Sequence, residues 1–208
     1  MNTQTHVLLG AALFARAGLP AQSLAAVAGG LAPDLPLYAF FVGARTAGYD
    51  NAAVFDVLYW REPMPTLLGA SHSFVLLGLL LAGGLLWRRR AAASGGRANA
   101  DTPGAALTVF ALAALLHAAS DFLLHRDDAH MQFWPLSRWT FASPVSYWDP
   151  AHFGTWWSAA EALLGIACAV VVWRRFRHLL VRGLAGLAIA MYAAVPLYFV
   201  LSIPGHQM

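Results

Sequence analysis

The chain has 208 residues, of which 59% are hydrophobic and 11% charged, against about a quarter charged in a typical soluble domain, which argues against a soluble single-domain protein. Thirteen Arg and no Lys, set against eight Asp and two Glu, give a net charge of +3. The Arg residues fall in clumps between apolar runs instead of along one basic stripe, which speaks against a nucleic-acid partner, and the lone Cys168 excludes an internal disulfide and a cysteine zinc site.

Met1 to His6 carries no Lys or Arg, so the amino end is read as part of the mature fold and not as a signal peptide. Val7 to Ala17 and Ala21 to Leu31 are each about half a membrane span, joined by the breaker Gly18-Leu19-Pro20. They are expected as a helical hairpin partly entering the bilayer, or as one helix kinked at Pro20. A helix crossing ~30 Å of hydrocarbon needs about 20 mostly apolar residues. Leu67 to Trp87, Ala105 to Leu124 and Leu184 to Ile203 supply that length, and Trp156 to Trp173 is slightly shorter and contains Glu161. The expected fold is therefore all-α: a polytopic membrane bundle of four long spans plus the amino-terminal hairpin, forming a single domain over 1–208.

Arg88, Arg89, Arg90 and Arg97 follow the first long span, and Arg174, Arg175, Arg177 and Arg182 lie between the third and fourth. An excess of Arg near span ends marks cytoplasmic loops. Both loops are expected inside, with 88–104 as a cytoplasmic linker, and residues 32–66, 125–155 and the carboxyl end outside. Nine Arg then fall inside and Arg45, Arg61, Arg126 and Arg138 outside. The 125–155 loop is dense in Trp, Phe and Tyr, which suits the interfacial aromatic belt.

Ionisable groups within apolar spans mark functional sites by default. Here His6, Asp34, His72, His117, Asp121, His125 and Glu161 all fall toward the outer ends of their segments. His117, Asp121 and His125 are spaced four and four, which places them along one helix face. Imidazole nitrogen with carboxylate oxygen is a ligand set for zinc, or for manganese or iron. The competing reading is a buried hydrogen-bonded pair that locks helices together. His130, within HRDDAH, completes a second ion's shell, binds a phosphate or is a solvated loop histidine. Asp127 and Asp128 are ligands, a general base or solvated helix-end acids, and Glu161 is a ligand, a base or the partner of Arg126. Arg126 and Arg138 offer planar forks for a phosphate or carboxylate, or anchor to lipid headgroups.

Thr5-His6 with Gly10, Pro33-Asp34-Leu35-Pro36, Ser71-His72-Ser73, and His117-x3-Asp121 leading to Trp134-Pro135-Leu136-Ser137 follow one another in order. From His6 to about Phe141 the chain thereby resembles the predicted membrane-bound metal-dependent hydrolases, the LexA-regulated, YdjM-like inner-membrane family. It departs from the family pattern at Pro36, where a second acidic residue is frequent, and at Leu68-Gly69-Ala70, which replaces an HRG-like lead-in. The resemblance implies a small helical membrane bundle, distant similarity to zinc-dependent phospholipases C, and His6, Asp34, His72, His117 and Asp121 as metal ligands.

The expected function is hydrolysis of an ester or phosphoester in a lipid or lipid-linked substrate at the outer face of the inner membrane, with one or two zinc ions. Asp127, Asp128 or Glu161 would take the proton of water, and Arg126 or Arg138 would hold the substrate's negative charge. The alternatives are a proton relay, transporter or stress-related structural protein built on the His/Asp cluster, and a di-iron hydroxylase, which the lack of a His-His pair disfavours.

Overall fold

The computed structural model describes residues 1–93 and 101–202. Of the described residues 74% are helical, and none forms a strand. The helices are α1 (Thr3–Phe14), α2 (Pro20–Leu31), α3 (Leu35–Thr46), α4 (Met64–Ser71), α5 (Phe74–Ala93), α6 (Pro103–Phe122), α7 (Gly154–Arg175) and α8 (Leu179–Ser202). The amino end is a hairpin and not a kinked helix. The chain reverses at Gly18, whose φ of +85° suits glycine, and Pro20 opens α2, where a missing N–H leaves no bond unmade.

Helix α6 is the centre of the bundle, packed between α2 and α5 and touching α1; α1 also lies on α7, and α7 on α8. Small residues let these helices approach closely, as in membrane bundles generally. A Cβ on Gly29 would lie 2.3 Å from the Phe110 carbonyl oxygen of α6, and one on Gly30 would lie 2.8 Å from the His6 carbonyl oxygen of α1. Those two glycines bring α6 and α1 against the same end of α2. At the other end of the hairpin, Arg175 donates to the carbonyls of Ala11 and Ala15, and Asp101 accepts from the N–H groups of Ala21 and Gln22. The hairpin turn therefore sits at the arginine-rich end, and His6 and Asp34 sit at the opposite one.

Four helical stretches are long and apolar enough to cross a membrane: Pro20–Thr46, Met64–Ala93, Pro103–Phe122 and Gly154–Arg175. Three of them overlap spans expected from the sequence. Pro20–Thr46 arises because residues 35–46, expected as outer loop, form α3. Pro33 and Pro36 sit in first turns, where proline is tolerated, so they stop α2 and yet open the next helical segments. α8 contributes the shorter apolar stretch Leu179–Val195. Helix α5 runs to Ala93 and α6 starts at Pro103, while the middle of the expected 88–104 linker, 94–100, lies outside the described residues, as do 203–208. The segments 32–71 and 123–153 close over the end of the bundle that carries His6.

Candidate metal centre

Several chain segments contribute polar side chains to this end. Helix α6 presents His117 and Asp121 one turn apart, and His125 follows just past its end. His6 comes from the first turns of α1, and Asp34 from the 3-10 turn between α2 and α3. His72 lies at the break between α4 and α5, where Ser73 Oγ accepts from Leu76 N–H at 3.1 Å and caps α5. His6, His72, His117 and Asp121 are each no more than 2% exposed, so their polar atoms must find partners within the protein.

Asp121 lies at the middle. Its Oδ1 is 2.9 Å from His6 Nε2 and 3.5 Å from His125 Nε2, and its Oδ2 is 3.1 Å from His117 Nε2 and 3.4 Å from His72 Nε2. The backbone nitrogen of Met1 lies 2.7 Å from Oδ1. Asp34 Oδ1 is 3.5 Å from His117 Nε2 and 3.9 Å from His72 Nε2, while Thr3 Oγ1 donates to Asp34 Oδ2. The far side of two rings is fixed by backbone: His117 Nδ1 is 2.8 Å from the Gly30 carbonyl oxygen and His72 Nδ1 is 3.0 Å from that of Leu68. Those carbonyls accept only from a protonated Nδ1, leaving the Nε2 lone pairs to face the cluster. The His6 and His117 rings stack at 3.5 Å.

The Nε2 atoms of His6, His72 and His117 are buried without an aligned hydrogen bond, close as the carboxylates are. Such an arrangement suits ligands around a shared centre. Asp34, His72, His117 and Asp121 form one group of candidate metal ligands, and Asp121, His125 and His130 a second, with ligand atoms within 4.8 Å of one another in each. The donors are imidazole nitrogen and carboxylate oxygen, and the Nδ1–carbonyl bonds are the outer contacts that orient metal-ligating histidines. The residues therefore fit a metal, and the donor set suits zinc, manganese or iron without choosing among them.

Outside the spans, burial works against an imidazolium at His125, but Asp121 and Asp128 outweigh it and push His125 up to about 9. Asp128 Oδ2 lies 2.9 Å from His125 Nδ1. Burial works against that carboxylate too, yet the contact with His125 holds Asp128 below the usual carboxylate range. Burial, then neighbouring His72 and His125, keep His130 far below the ordinary histidine value, hence neutral and able to offer a lone pair.

A cavity of about 540 Å³ opens beside the cluster, lined in part by Asp34, Asp121, His125, Asp128 and His130. Asp127 does not line it; its side chain is 66% exposed, 3.9 Å from Arg126. Arg126 also donates to the Ser143 carbonyl, and Arg138 lies 3.7 Å from Glu62 on the surface; neither lines the cavity. Glu161 is buried, and its Oε1 accepts from Asn2 N–H at 2.8 Å and Thr5 Oγ1 at 2.6 Å, with Thr5 also bonded to Tyr192. It thus pins the start of α1 to α7 and α8 and has no contact with Arg126.

Residues that the sequence did not single out complete the surroundings: the Gly30 and Leu68 carbonyls, Thr3, and Tyr59 and Tyr147 at the cavity wall. Burial first, then nearby carboxylates, raise both tyrosines, so each keeps its proton. Tyr59 stands beside Trp60 in the 3-10 turn Leu58–Trp60, and that aromatic pair was the one available signal.

Residues 1–203 match the family described as YdjM inner membrane protein. No curated protein and no solved structure matches the chain.

Proposed function

The chain belongs to the YdjM inner membrane protein family, and from that premise we propose that it is a metal-dependent hydrolase cleaving an ester or phosphoester of a lipid or lipid-linked substrate. One domain over 1–208 carries the activity, with the site facing the non-cytoplasmic side. The observation that supports the reading is the convergence of three unpaired buried Nε2 atoms on Asp34 and Asp121. Asp34, His72, His117 and Asp121 hold one ion, and Asp121, His125 and His130, with His6 beside Asp121 Oδ1, hold a second. Zinc is the expected metal. A metal held by these residues would supply Lewis acidity to the scissile carbonyl or phosphoryl oxygen and to water.

Of the three acids expected as base, Asp128 is the one that lines the cavity, and its Oδ1 has no hydrogen-bond partner. It takes the proton of the attacking water, while its Oδ2 holds His125. Arg126 and Arg138 act no closer than the rim, so neither clamps the reacting group. Bound metals measured by plasma mass spectrometry, beside turnover on lipid phosphoesters, test the reading. One or two zinc ions per chain are expected, with metal and activity both lost in folded His117→Ala and Asp121→Ala variants. No stoichiometric metal after zinc repletion, or turnover unchanged by His117→Ala, overturns it.

A further inference from the structure

The cavity beyond the metal cluster has a mixed lining, in which Asn2, Thr3 and Gln4 and the Met1 nitrogen, paired with Asp121 at 2.7 Å, accompany a group of aromatic side chains. Tyr38, Tyr59, Trp60 and Trp148 line it with Asp56 and Asp128, and among the described residues no Arg side chain does. Asp128 is matched by His125 at 2.9 Å, and Asp34 and Asp121 belong to the histidine cluster. Asp56 differs: no described residue makes an ion pair with it. Trp60 and Trp148 are each about half exposed, at 52% and 55%, so their rings border the mouth and remain open to a ligand.

We propose that this cavity selects a phosphoester whose head group carries an ammonium ion, seated between Asp56 and the rings of Tyr59, Trp60 and Trp148. The inference deepens the hydrolase reading and rests on it for the placement of the phosphoester at the cluster. Aromatic faces attract cations through the ring quadrupole, and Trp does so best. The exposed Asp56 carboxylate, on the lining of the same cavity, adds direct charge attraction. A second anionic group would meet Asp56 with no cation beside it, and a polyol would leave that charge unmatched. The cavity's volume of about 540 Å³ holds a phosphorylated head group with part of its glycerol.

The test is calorimetric binding of short-chain lipids, below their micellar concentrations, to the full chain in detergent, zinc-loaded and metal-free. Dihexanoylphosphatidylethanolamine and dihexanoylphosphatidylcholine are expected to bind about tenfold or more tighter than dihexanoylphosphatidylglycerol. Asp56→Asn is expected to remove most of that preference while zinc per chain stays the same. Trp60→Leu provides a second variant, expected to weaken the choline lipid several-fold more than the glycerol lipid. Equal or tighter binding of the glycerol lipid, or a preference untouched by both variants, overturns the proposal. Selectivity is read without turnover, so the two readings fail separately. Head-group preference without bound zinc or cleavage sinks only the hydrolase, and zinc-dependent cleavage indifferent to the head group sinks only the ammonium site.

Discussion

Asp121 directs its two oxygens at different histidines, Oδ1 at His6 and His125 and Oδ2 at His117 and His72. Asp121 therefore belongs to both groups of candidate ligands. Asp128 is one contact further out, and outer contacts of this kind typically change metal affinity 10–100-fold. Asp128→Asn is expected to weaken zinc by about 10–100-fold in chelator competition without abolishing binding. The same pair sets a pH dependence. In metal-free protein, His125 is raised from 6.5 to about 9, so its stabilising contribution is complete below about 6.5 and is lost as pH rises through about 9. Asp128 is lowered from 3.8, so its contribution is present above about 3.8 and is lost as pH falls further. The contribution of this pair, read as the Tm difference between the metal-free protein and its Asp128→Asn variant, should be greatest between about pH 4 and 6.5. Zinc affinity should instead rise with pH over that range, because the ion displaces protons from the histidines.

At the scale of elements, Gly29 and Gly30 decide whether His6 and His117 can stack. A methyl on Gly29 would overlap the Phe110 carbonyl, which is backbone and cannot swing aside. Gly29→Ala is therefore expected to destabilise the protein by about 1–3 kcal/mol or more, seen as a lower Tm in detergent together with weaker zinc binding. Glu161 works between elements in another way. Its carboxylate receives the Asn2 N–H and the Thr5 hydroxyl, so it stands at the start of α1 much as a capping-box glutamate would, but from a different helix. Glu161→Ala removes the acceptor of the buried Thr5 hydroxyl and of the Asn2 N–H and should cost about 1–3 kcal/mol, with Glu161→Gln recovering part because its amide oxygen still accepts. A base in the reaction would behave otherwise, losing turnover in Glu161→Gln at unchanged stability.

At the scale of the whole molecule, the arginine-rich ends of α5 and α7 and the His/Asp cluster lie at opposite ends of the bundle. The excess of Arg there argues that this end is cytoplasmic. With Cys168 replaced by Ala, Trp139→Cys should react with a membrane-impermeant maleimide in intact spheroplasts, and Arg177→Cys only after permeabilisation. The reverse pattern would put the site on the cytoplasmic face.

The four-residue spacing of His117 and Asp121 was legible because a helix fixes which side chains share a face, and the spans were legible because hydrocarbon sets a length and a composition. The break at Gly18 and Pro20 was legible, and with it the hairpin, but the choice of hairpin over kinked helix depends on α1 and α2 packing. Only the folded chain made α3 from residues 35–46, because prolines stop one helix and open the next with equal ease. It set the distances between α6 and His6, Asp34 and His72, already expected at one level, placed Glu161 at the start of α1, and brought Asp56, Tyr59, Trp60 and Trp148 to one cavity. Those contacts join separate elements of the chain, and no local periodicity encodes such distances.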